Sequence, residues 1–539
     1  MNETTGVFTV LNGMIERMAR DRRIGIDVGG TNTDAVLMDG ATVLAKLKTP
    51  TTSDVTTGIS TAMAHILTES GTAASEISAV MIGTTHFTNA IVERRHLEPT
   101  GIVRVCLPAG LDIPPMTDWP PDIRDALGHH TWMTHGGNEF DGREISPLDP
   151  SEVHAVADEM MERGITAIAI SAPFALVTPD MELRTAEILR ERIPDAQITL
   201  SHEIGQLGLL ERENAAILNA ALRPLAARTV AAFREAVARM GITAPLYLTQ
   251  NDGTLMQANF AERFPVLTIA SGPSNSVRGA AFLSGRREAL VLDVGGTTCD
   301  LGVLVNGFPR KASIAVQVGG VRTNFRMPDV HSFGLGGGSI VRRDAEGPVR
   351  VGPRSVGYRL TDEALVFGGE AVTASDIAVA AGWATLGDPG RMSGLDPDFV
   401  NGAVAAMREM VNAGVDRMKT SADPVPLIVV GGGSILVREV EGVSELIRPD
   451  HFEAANAVGA AIAQISGETD RVFALGGPDH LTREGALEIA RAEATERSIA
   501  AGADPATIEI VDLEDVPLAY LPGNATRVRA KAIGDLRLS

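Results

Sequence analysis

One motif occurs twice in the chain, as Asp27-Val-Gly-Gly-Thr-Asn-Thr-Asp34 and as Asp293-Val-Gly-Gly-Thr-Thr-Cys-Asp300. Each copy follows an apolar run typical of a buried strand and leads into a second apolar run, which ends at a hairpin signal, Asp39-Gly40 or Asn306-Gly307. The repeated unit is therefore predicted to be a strand, a Gly-Gly-Thr turn, a second strand and a hairpin turn. A chain that carries this unit twice is expected to fold as two related halves.

The repeated turn has the chemistry of a phosphate-binding loop. Two glycines let the backbone approach a phosphate closely, threonine hydroxyls and amide N–H groups donate to its oxygens, and an aspartate at the strand end can hold a cation. A single Gly-Gly-Thr is usually only a turn, but two copies at matching strand ends, together with the strand and turn Pro426-Leu-Ile-Val-Val-Gly-Gly-Gly-Ser434, are hard to explain as turns alone. These sites lack a Walker-type Gly-Lys-Ser/Thr and a Gly-x-Gly-x-x-Gly, which disfavours P-loop and dinucleotide folds.

Composition limits the classes of partner. At 539 residues the chain is too long for one core and predicts two or more domains. The formal charge of −21 argues against a broad nucleic-acid or anionic-membrane surface, because such surfaces depend on Lys and Arg. The cysteines, Cys106 and Cys299, are too few for a disulfide framework or a four-thiolate zinc site. With no secretory pattern over residues 1–22 and no apolar run long enough for a membrane span, we expect a cytoplasmic protein.

The rest of the sequence alternates helical and strand patterns, which favours an α/β architecture. Residues 209–240 predict a helical connector between two halves, broken or kinked at Pro224, with Glu211-Arg-Glu213 as a charged face. Residues 265–270 read as a strand, and a long helical region is expected after the glycine loop 334–339. Further elements are predicted as helices at 152–163, 181–192, 454–463 and 482–500, and as strands at 167–171, 246–249, 508–511 and 528–533.

The order of the motifs at Asp27, Asp293 and Ile428-Val-Val-Gly-Gly-Gly-Ser434 resembles the two phosphate motifs and the adenosine motif of the actin, sugar kinase and chaperone ATPase superfamily. More narrowly, the chain resembles the A-type (N-methylhydantoinase A-like) subunit of the hydantoinase/oxoprolinase family over roughly residues 23–465. Four segments carry this likeness: 23–34, 83–94, 271–273 and 329–339. The resemblance implies an α/β fold of duplicated actin-like (ribonuclease H-like) ATPase lobes with a cleft between them.

The resemblance implies ATP-dependent hydrolytic opening of a cyclic amide, such as a hydantoin, 5-oxoproline or a related lactam, through phosphorylation of its carbonyl. It further implies ATP with Mg²⁺ or another divalent metal as cofactors, and a B-type subunit or a second copy of the chain as partner. Two other functions remain open on the sequence: an ATP-dependent regulatory or activator subunit, and a small-molecule kinase of the same superfamily. Nucleic acid and membrane are not expected partners.

Site residues follow from the same resemblance, position by position. It implies catalytic and metal-holding roles for Asp27 and Asp293. Phosphate-binding positions are Gly29, Gly30, Thr31, Thr33, Gly295, Gly296, Thr297 and Thr298. Adenosine-binding positions are Gly431, Gly432, Gly433 and Ser434. Substrate candidates are Thr84, Thr85, Asn89 and His331.

Four divisions of the chain are expected. These are an N-terminal extension (1–22), a hydantoinase/oxoprolinase N-terminal lobe (23–205), an A-type lobe with the second phosphate motif and the adenosine motif (206–465), and a C-terminal α/β segment (466–539). The chain departs from the family pattern at Asn32, where Phe is common, and at Ser274-Asn-Ser276, where small residues are common. Both departures add polarity near the expected site and predict a substrate different from that of the better-known members.

Overall fold

A computed structural model describes residues 21–30, 32–51, 55–312, 316–325, 327–343, 347–475, 481–519, 521 and 524–537. The extension expected at 1–22 lies, except for its last two residues, outside these ranges. No helix in the described ranges is long and apolar enough to cross a membrane.

The strands, in chain order, are β1 Arg22–Val28, β2 Asn32–Asp39, β3 Thr42–Pro50, β4 Ile77–Thr84, β5 Thr100–Leu107, β6 His130–His135, β7 Ala167–Ser171, β8 Gln197–Leu200, β9 Leu246–Thr249, β10 Leu255–Gln257, β11 Ala289–Val294, β12 Cys299–Val305, β13 Phe308–Pro309, β14 Val316–Val318, β15 Val321–Thr323, β16 Val330–Phe333, β17 Ser339–Arg343, β18 Val349–Ser355, β19 Val425–Val430, β20 Val443–Ile447, β21 Ile465–Ala474, β22 Glu509–Pro517 and β23 Ala525–Gly534.

The α-helices are α1 Val55–Ser70, α2 His86–Glu93, α3 Pro121–Leu127, α4 Pro150–Glu162, α5 Asp180–Arg192, α6 Leu209–Arg239, α7 Ala258–Arg263, α8 Ser271–Ser284, α9 Leu360–Glu363, α10 Ala374–Ala380, α11 Pro397–Met418, α12 Ala455–Ala461 and α13 Arg483–Ala500.

Both copies of the repeated motif form antiparallel hairpins, as predicted. In the first, Asp27 of β1 pairs with Asp34 of β2, and in the second, Asp293 of β11 pairs with Asp300 of β12. The apolar residues that flank each motif are buried on the sheets, which fixes the register. The duplication in the sequence is thus a duplication of structure.

Three larger sheets organise the molecule. The first has nine strands in the order β22-β23-β21-β10-β9-β4-β1-β2-β3 and contains the first motif. The second runs β13-β12-β11-β19-β20, with β16 also paired to β12, and contains the second motif. A separate parallel sheet, β6-β5-β7-β8, lies between β4 and α6 in the sequence and is packed against α4 and α5.

The strand pairing cuts across the expected divisions at residues 205 and 465. Strands β9 and β10, from the segment assigned to the second lobe, join β4 in the first sheet, and the C-terminal strands β21–β23 extend the same sheet. The C-terminal segment is therefore integrated with the first sheet. Sequence periodicity identifies strands but not their neighbours, so this pairing was not visible in the sequence.

Helices α8 and α12 cross between the two motif-bearing sheets. Helix α8 packs on β11, β12 and β19 of the second sheet, and α12 packs on β1 and β2 of the first. Glycines allow the close crossing: a Cβ on Gly279 would lie 1.9 Å from the Ala455 carbonyl oxygen, and one on Gly459 would lie 1.9 Å from the Asn275 carbonyl oxygen. The two sheets are thus joined through the backbones of this helix pair.

Four local predictions were wrong. Residues 265–268 form a 3₁₀ turn instead of a strand, because a short buried apolar run does not reveal its own periodicity. Strands β17 and β18 form a hairpin where helix was expected. Helix α6 continues through Pro224 and is packed in the first-sheet core, so the predicted break is wrong, whereas the alternative of a kink stays a prediction. Arg212 and Glu213 are each 1 % exposed instead of forming a solvated face.

Candidate active site

The two Gly-Gly-Thr turns share one backbone hydrogen bond. The Gly29 N–H donates to the Asn32 carbonyl at 3.0 Å, and the Gly295 N–H donates to the Thr298 carbonyl at 2.9 Å. Within the turns, Gly30 and Thr298 are exposed, whereas Thr33 is buried with its hydroxyl 3.2 Å from that of Thr51. Gly296 and Thr297 are half-buried. Thr31 lies outside the described residues, so its assignment stays a prediction.

The strand-end carboxylates Asp27 and Asp293 face a common polar cluster. Burial raises the pKa of Asp27, and the negative charge of Asp293 raises it further, while hydrogen bonds from Asn456 and Asn275 act in the opposite direction. Burial likewise raises the pKa of Asp293, against a hydrogen bond from Ser276. Because each carboxyl comes from a different motif copy, the fold brings the two predicted catalytic residues together.

The crossed helices hold these carboxylates. Asn275 of α8 donates to Asp27 Oδ1 at 3.3 Å, and Asn456 of α12 donates to Asp27 Oδ2 at 3.4 Å. The Ser276 hydroxyl donates to Asp293 and lies 2.6 Å from Asn456 Oδ1. Of the three polar residues that depart from the family pattern in α8, Asn275 and Ser276 therefore contact the two carboxylates, whereas the Ser274 hydroxyl donates to the Asn251 carbonyl.

The third glycine turn lies against the second phosphate turn. Gly431 has φ of +85°, and a Cβ there would lie 2.2 Å from Asp293 Oδ1. The Gly433 N–H donates to the Val294 carbonyl at 2.8 Å, and Gly432 is exposed beside these buried neighbours. Ser434 is buried, and its hydroxyl has no hydrogen-bond partner within the described ranges. Because a side chain at position 431 would clash with Asp293, the turn can approach this carboxylate closely only with glycine there.

A further glycine loop covers the same turn from another side. The Gly337 N–H donates to the Gly295 carbonyl at 3.0 Å, and the Gly338 N–H donates to the Gly296 carbonyl at 2.7 Å. A Cβ on Gly336 would lie 2.4 Å from the Thr297 nitrogen. The loop 334–339 thus supports the second phosphate turn.

Two of the substrate candidates lie beside the first phosphate turn. The Thr85 N–H donates to the Val28 carbonyl at 3.1 Å, and the Asn89 N–H donates to the Thr85 carbonyl at 2.9 Å. A Cβ built on Gly30 would come within 3.9 Å of Asn89 Nδ2. Thr84 is buried, and its hydroxyl accepts the His86 N–H at 3.1 Å, a contact within the start of α2.

His331 lies on the other side of the second sheet. Its neighbour Ser332 pairs with Asp300 and donates to its carboxylate, so side-chain alternation along β16 directs His331 to the opposite face. There it packs against Phe333, with ring centroids 5.7 Å apart, and burial together with the charge of Arg417 lowers its pKa. The structure does not bring His331 to the carboxylates.

Sequence reasoning missed several residues at this site. Asp34 and Asp300 close the two motif copies, and burial raises the pKa of each to about 6. The repetition itself was the available signal for these two residues. Lys48, which binds Asp34 at 2.6 Å, and Asn456 had no such signal, because strand pairing and helix crossing place them.

The carboxylates suit a magnesium nucleotide better than a metal held by protein alone. Among the described residues there is no group of three or more metal-ligating side chains with suitable geometry. Mg²⁺ usually binds one or two carboxylates and completes its shell with water and substrate phosphates. Asp27 and Asp293 are two carboxylates flanked by glycine turns, of which Gly30 and Gly432 are exposed, and they fit that kind of site.

Solved structures show the same fold. The chain superposes on an ATP-dependent caprolactamase from Pseudomonas jessenii with a TM-score of 0.75 and 21 % identity, over 96 % of this chain and 88 % of that one. It superposes on nucleotide-free acetone carboxylase with a TM-score of 0.69 and 17 % identity, over the same shares of the two chains. The protein therefore has an α/β, actin-like ATPase fold with duplicated lobes, as predicted.

Residues 23–193 match the family model described as "Hydantoinase/oxoprolinase N-terminal region", and residues 212–386 match the model described as "Hydantoinase/oxoprolinase". The chain belongs to the hydantoinase/oxoprolinase family, which confirms the resemblance. Among curated relatives, the "Caprolactamase subunit alpha" of Pseudomonas jessenii is 29 % identical over 392 residues, which cover 67 % of this chain and 54 % of that protein. The chain thus matches about half the length of this relative.

Proposed function

We propose that this chain uses ATP to open a cyclic amide, such as a hydantoin, 5-oxoproline or a related lactam. The observation that carries the proposal is the approach of two Gly-Gly-Thr turns, each with a strand-end aspartate, across helices that bind both carboxylates. Membership of the hydantoinase/oxoprolinase family supports a cyclic amide as the substrate class. The relative named as a caprolactamase subunit supports a lactam among the candidates.

In this proposal each described element has a distinct task. The turns at Gly29 and Gly295 contact the phosphates through backbone N–H groups, and the turn 431–433 contacts the adenosine. Asp27 and Asp293 would hold the divalent metal, and the metal would neutralise phosphate charge. Thr85 and Asn89, beside the first turn, face the cyclic amide.

The proposed reaction overcomes the low reactivity of an unstrained amide. The carbonyl oxygen attacks the terminal phosphorus, and the electrons of the broken P–O bond leave with ADP. Water then adds to the activated carbon, the C–N bond breaks, and the ring nitrogen takes a proton. A second water hydrolyses the resulting acyl phosphate to a carboxylate and inorganic phosphate. The added water supplies the proton that the ring nitrogen takes.

A partner subunit is part of the proposal. The curated relative is named as an alpha subunit, and this chain matches 54 % of its length. We propose that a B-type subunit completes ring opening, whereas nucleotide binding resides in this chain. A homo-oligomer is the alternative arrangement.

The decisive experiment follows phosphate release from Mg-ATP by the purified chain, with and without a panel of hydantoins, 5-oxoproline and lactams, and detects ring opening by mass spectrometry. Coupled phosphate release and ring opening would establish the proposal and identify the substrate class. A stable phosphorylated product would instead define a kinase. ATP turnover stimulated only by another protein, without ring opening, would define a regulatory subunit. The same assay is repeated with the partner subunit co-expressed with the chain.

A further inference from the structure

Lys48 lies in line with the carboxylates of the first motif. Across neighbouring strands Asp27 pairs with Asp34, and Asp34 pairs with Lys48 of β3. Residues paired across strands share a face of the sheet, so the three side chains form a row. The Lys48 ammonium binds both oxygens of Asp34, at 2.6 and 2.7 Å.

The second motif has no cation at the corresponding place. Asp293 pairs with Asp300, and Asp300 pairs with Ser332 of β16, whose hydroxyl donates to the carboxylate. Both copies of the motif therefore carry the two paired aspartates, but the lysine accompanies the first copy and a serine the second. This asymmetry gives the two phosphate turns different electrostatic properties.

Lys48 extends from the first sheet toward the second. Its Cε lies 3.7 Å from the position a Cβ would take on Gly432, in the exposed part of the third glycine turn. The Lys48 side chain is 38 % exposed, whereas that of Asp34 is 7 % exposed. The Lys48 side chain is thus accessible to a ligand that enters between the turns, while its carboxylate partner is covered.

The charge of Lys48 acts on the whole acidic cluster. Burial raises the pKa of Asp27, Asp34 and Asp293, and the positive charge of Lys48 lowers the pKa of all three. A triphosphate that approaches these acids is repelled unless cations neutralise it. Among the described residues, Lys48 is the side-chain cation that acts on each of these three carboxyls.

We propose that Lys48 is the phosphate-binding cation of this cleft, with Asp34 as the residue that positions it. The ammonium group donates to the terminal phosphate of ATP from the side of the first turn. Asp34 keeps one hydrogen bond to the ammonium and prevents it from turning to solvent. This inference rests on the proposed function, because it requires nucleotide between the turns, and it fixes the terminal phosphate on the side of the first motif.

The test compares Lys48→Met with Lys46→Met by calorimetry of Mg-ATP and Mg-ADP binding. Lys46 is a matched control: it lies two residues earlier on the same face of β3, but it binds Glu453 and His451 instead of the carboxylates. Loss of a charge-assisted hydrogen bond predicts that Lys48→Met weakens ATP binding by about 10-fold to 100-fold and ADP binding by much less. Lys46→Met should bind both nucleotides like the wild type, and Lys48→Arg should retain most of the ATP affinity.

Lys48→Met leaves Asp34 as a buried carboxylate without its lysine, and this variant alone could fold poorly. In that case the double variant Asp34→Asn with Lys48→Met, which removes the carboxylate charge as well, takes its place. The same selective loss of ATP affinity in this variant supports the proposal. Equal loss for ATP and ADP, accompanied by a lower melting temperature, would assign Lys48 a structural role and overturn it. Unchanged ATP affinity in a wild type that binds nucleotide would also overturn it. A wild type that binds no nucleotide would overturn the proposed function itself.

Discussion

Gly83 shows how a residue without a side chain determines the position of a candidate catalytic group. It pairs with Asp27 across β1 and β4, and a Cβ there would lie 2.5 Å from Asp27 Oδ1 and 2.4 Å from Asn275 Nδ2. We predict that Gly83→Ala displaces Asp27 and lowers ATP turnover by about 100-fold, since misplacement by about 1 Å has effects of that size. Phosphate release is the measurement. Gly394→Ala is the control, because a methyl group there meets nothing within 4 Å, and wild-type turnover in Gly83→Ala would contradict the prediction.

The ionisation of Asp34 makes the stability of the folded chain depend on pH. Burial raises its pKa from 3.8 to about 6, more than Lys48 and its hydrogen bond lower it. Between pH 3.8 and about 6, Asp34 is therefore protonated in the folded state but ionised in the unfolded state. As pH rises through that window, this group makes folding less favourable. Asp34→Asn should remove this dependence, so its free energy of unfolding relative to the wild type should rise by about 2–3 kcal/mol between pH 4 and pH 7.

Urea unfolding of wild type and Asp34→Asn at several pH values between 4 and 7 measures this difference. The stability difference between the two proteins should grow with pH and level off above pH 6. A constant difference across the range would show that Asp34 titrates normally in the folded chain.

At the residue scale, the sequence predicted Asp27 and Asp293 because the motif is repeated. Asn275 and Ser276 were noticed as departures, but they were expected to alter the substrate, whereas they contact the two carboxylates. Asn456 was not predicted at all. It lies 429 residues from Asp27 in the sequence, and only the helix crossing brings the two together.

The crossed helices α8 and α12 are the element on which the site depends most directly. A Cβ on Gly459 would lie 1.9 Å from the Asn275 carbonyl oxygen, and a backbone atom cannot move aside as a flexible side chain does. We predict that Gly459→Ala separates the helices, lowers stability by about 1–3 kcal/mol and weakens nucleotide binding, because Asn275 and Asn456 then no longer bind Asp27 together.

Thermal unfolding and calorimetry with Mg-ATP measure the two effects. The matched control is Gly485→Ala in α13, where the added methyl meets the end of the flexible Leu481 side chain at 3.1 Å. A stable Gly459→Ala variant with unchanged nucleotide affinity would show that the helix crossing does not position the carboxylates.

At the element scale, predictions succeeded where periodicity was long or a turn had a specific residue requirement. Helix α13 and strand β19 were predicted because each carries a clear pattern. Asn306 and Gly307 both have positive φ, as the hairpin signal requires. The strand predicted at residues 265–270 was wrong because Pro265 and a short buried apolar run are compatible with several conformations.

At the scale of the whole molecule, the sequence predicted duplicated lobes but not how the chain is shared between sheets. Apart from Ile465, strands β21–β23 come from the expected C-terminal segment (466–539), and they extend the sheet that holds Asp27. Leu255 and Ile465, paired across β10 and β21, are both buried in a shared cluster with Met81. Such long-range pairing depends on which sheet edge is open after the rest has folded, and no local pattern encodes it.

A buried ion pair attaches this C-terminal segment to the turn after β9. Lys531 of β23 is 3 % exposed on its side chain and binds Asp252, whose side chain is 12 % exposed. Burial opposes ionisation of Asp252, but the charge and hydrogen bond of Lys531, with hydrogen bonds from Thr254, lower its pKa to about 2. Its contribution to stability is therefore present above pH 4 and is lost as pH falls toward 2.

Asp252→Asn should leave Lys531 as a buried charge with a weakened partner set, since Glu468 remains 3.6 Å away. Removal of one member of a buried pair costs about 3–5 kcal/mol, so we expect a loss near the lower end of that range, measured by urea unfolding at pH 7. The double variant Asp252→Asn with Lys531→Met should recover much of the loss, because it removes the uncompensated charge. If both variants are equally unstable, the packing of β23 and not the ion pair joins the C-terminal segment to the first sheet.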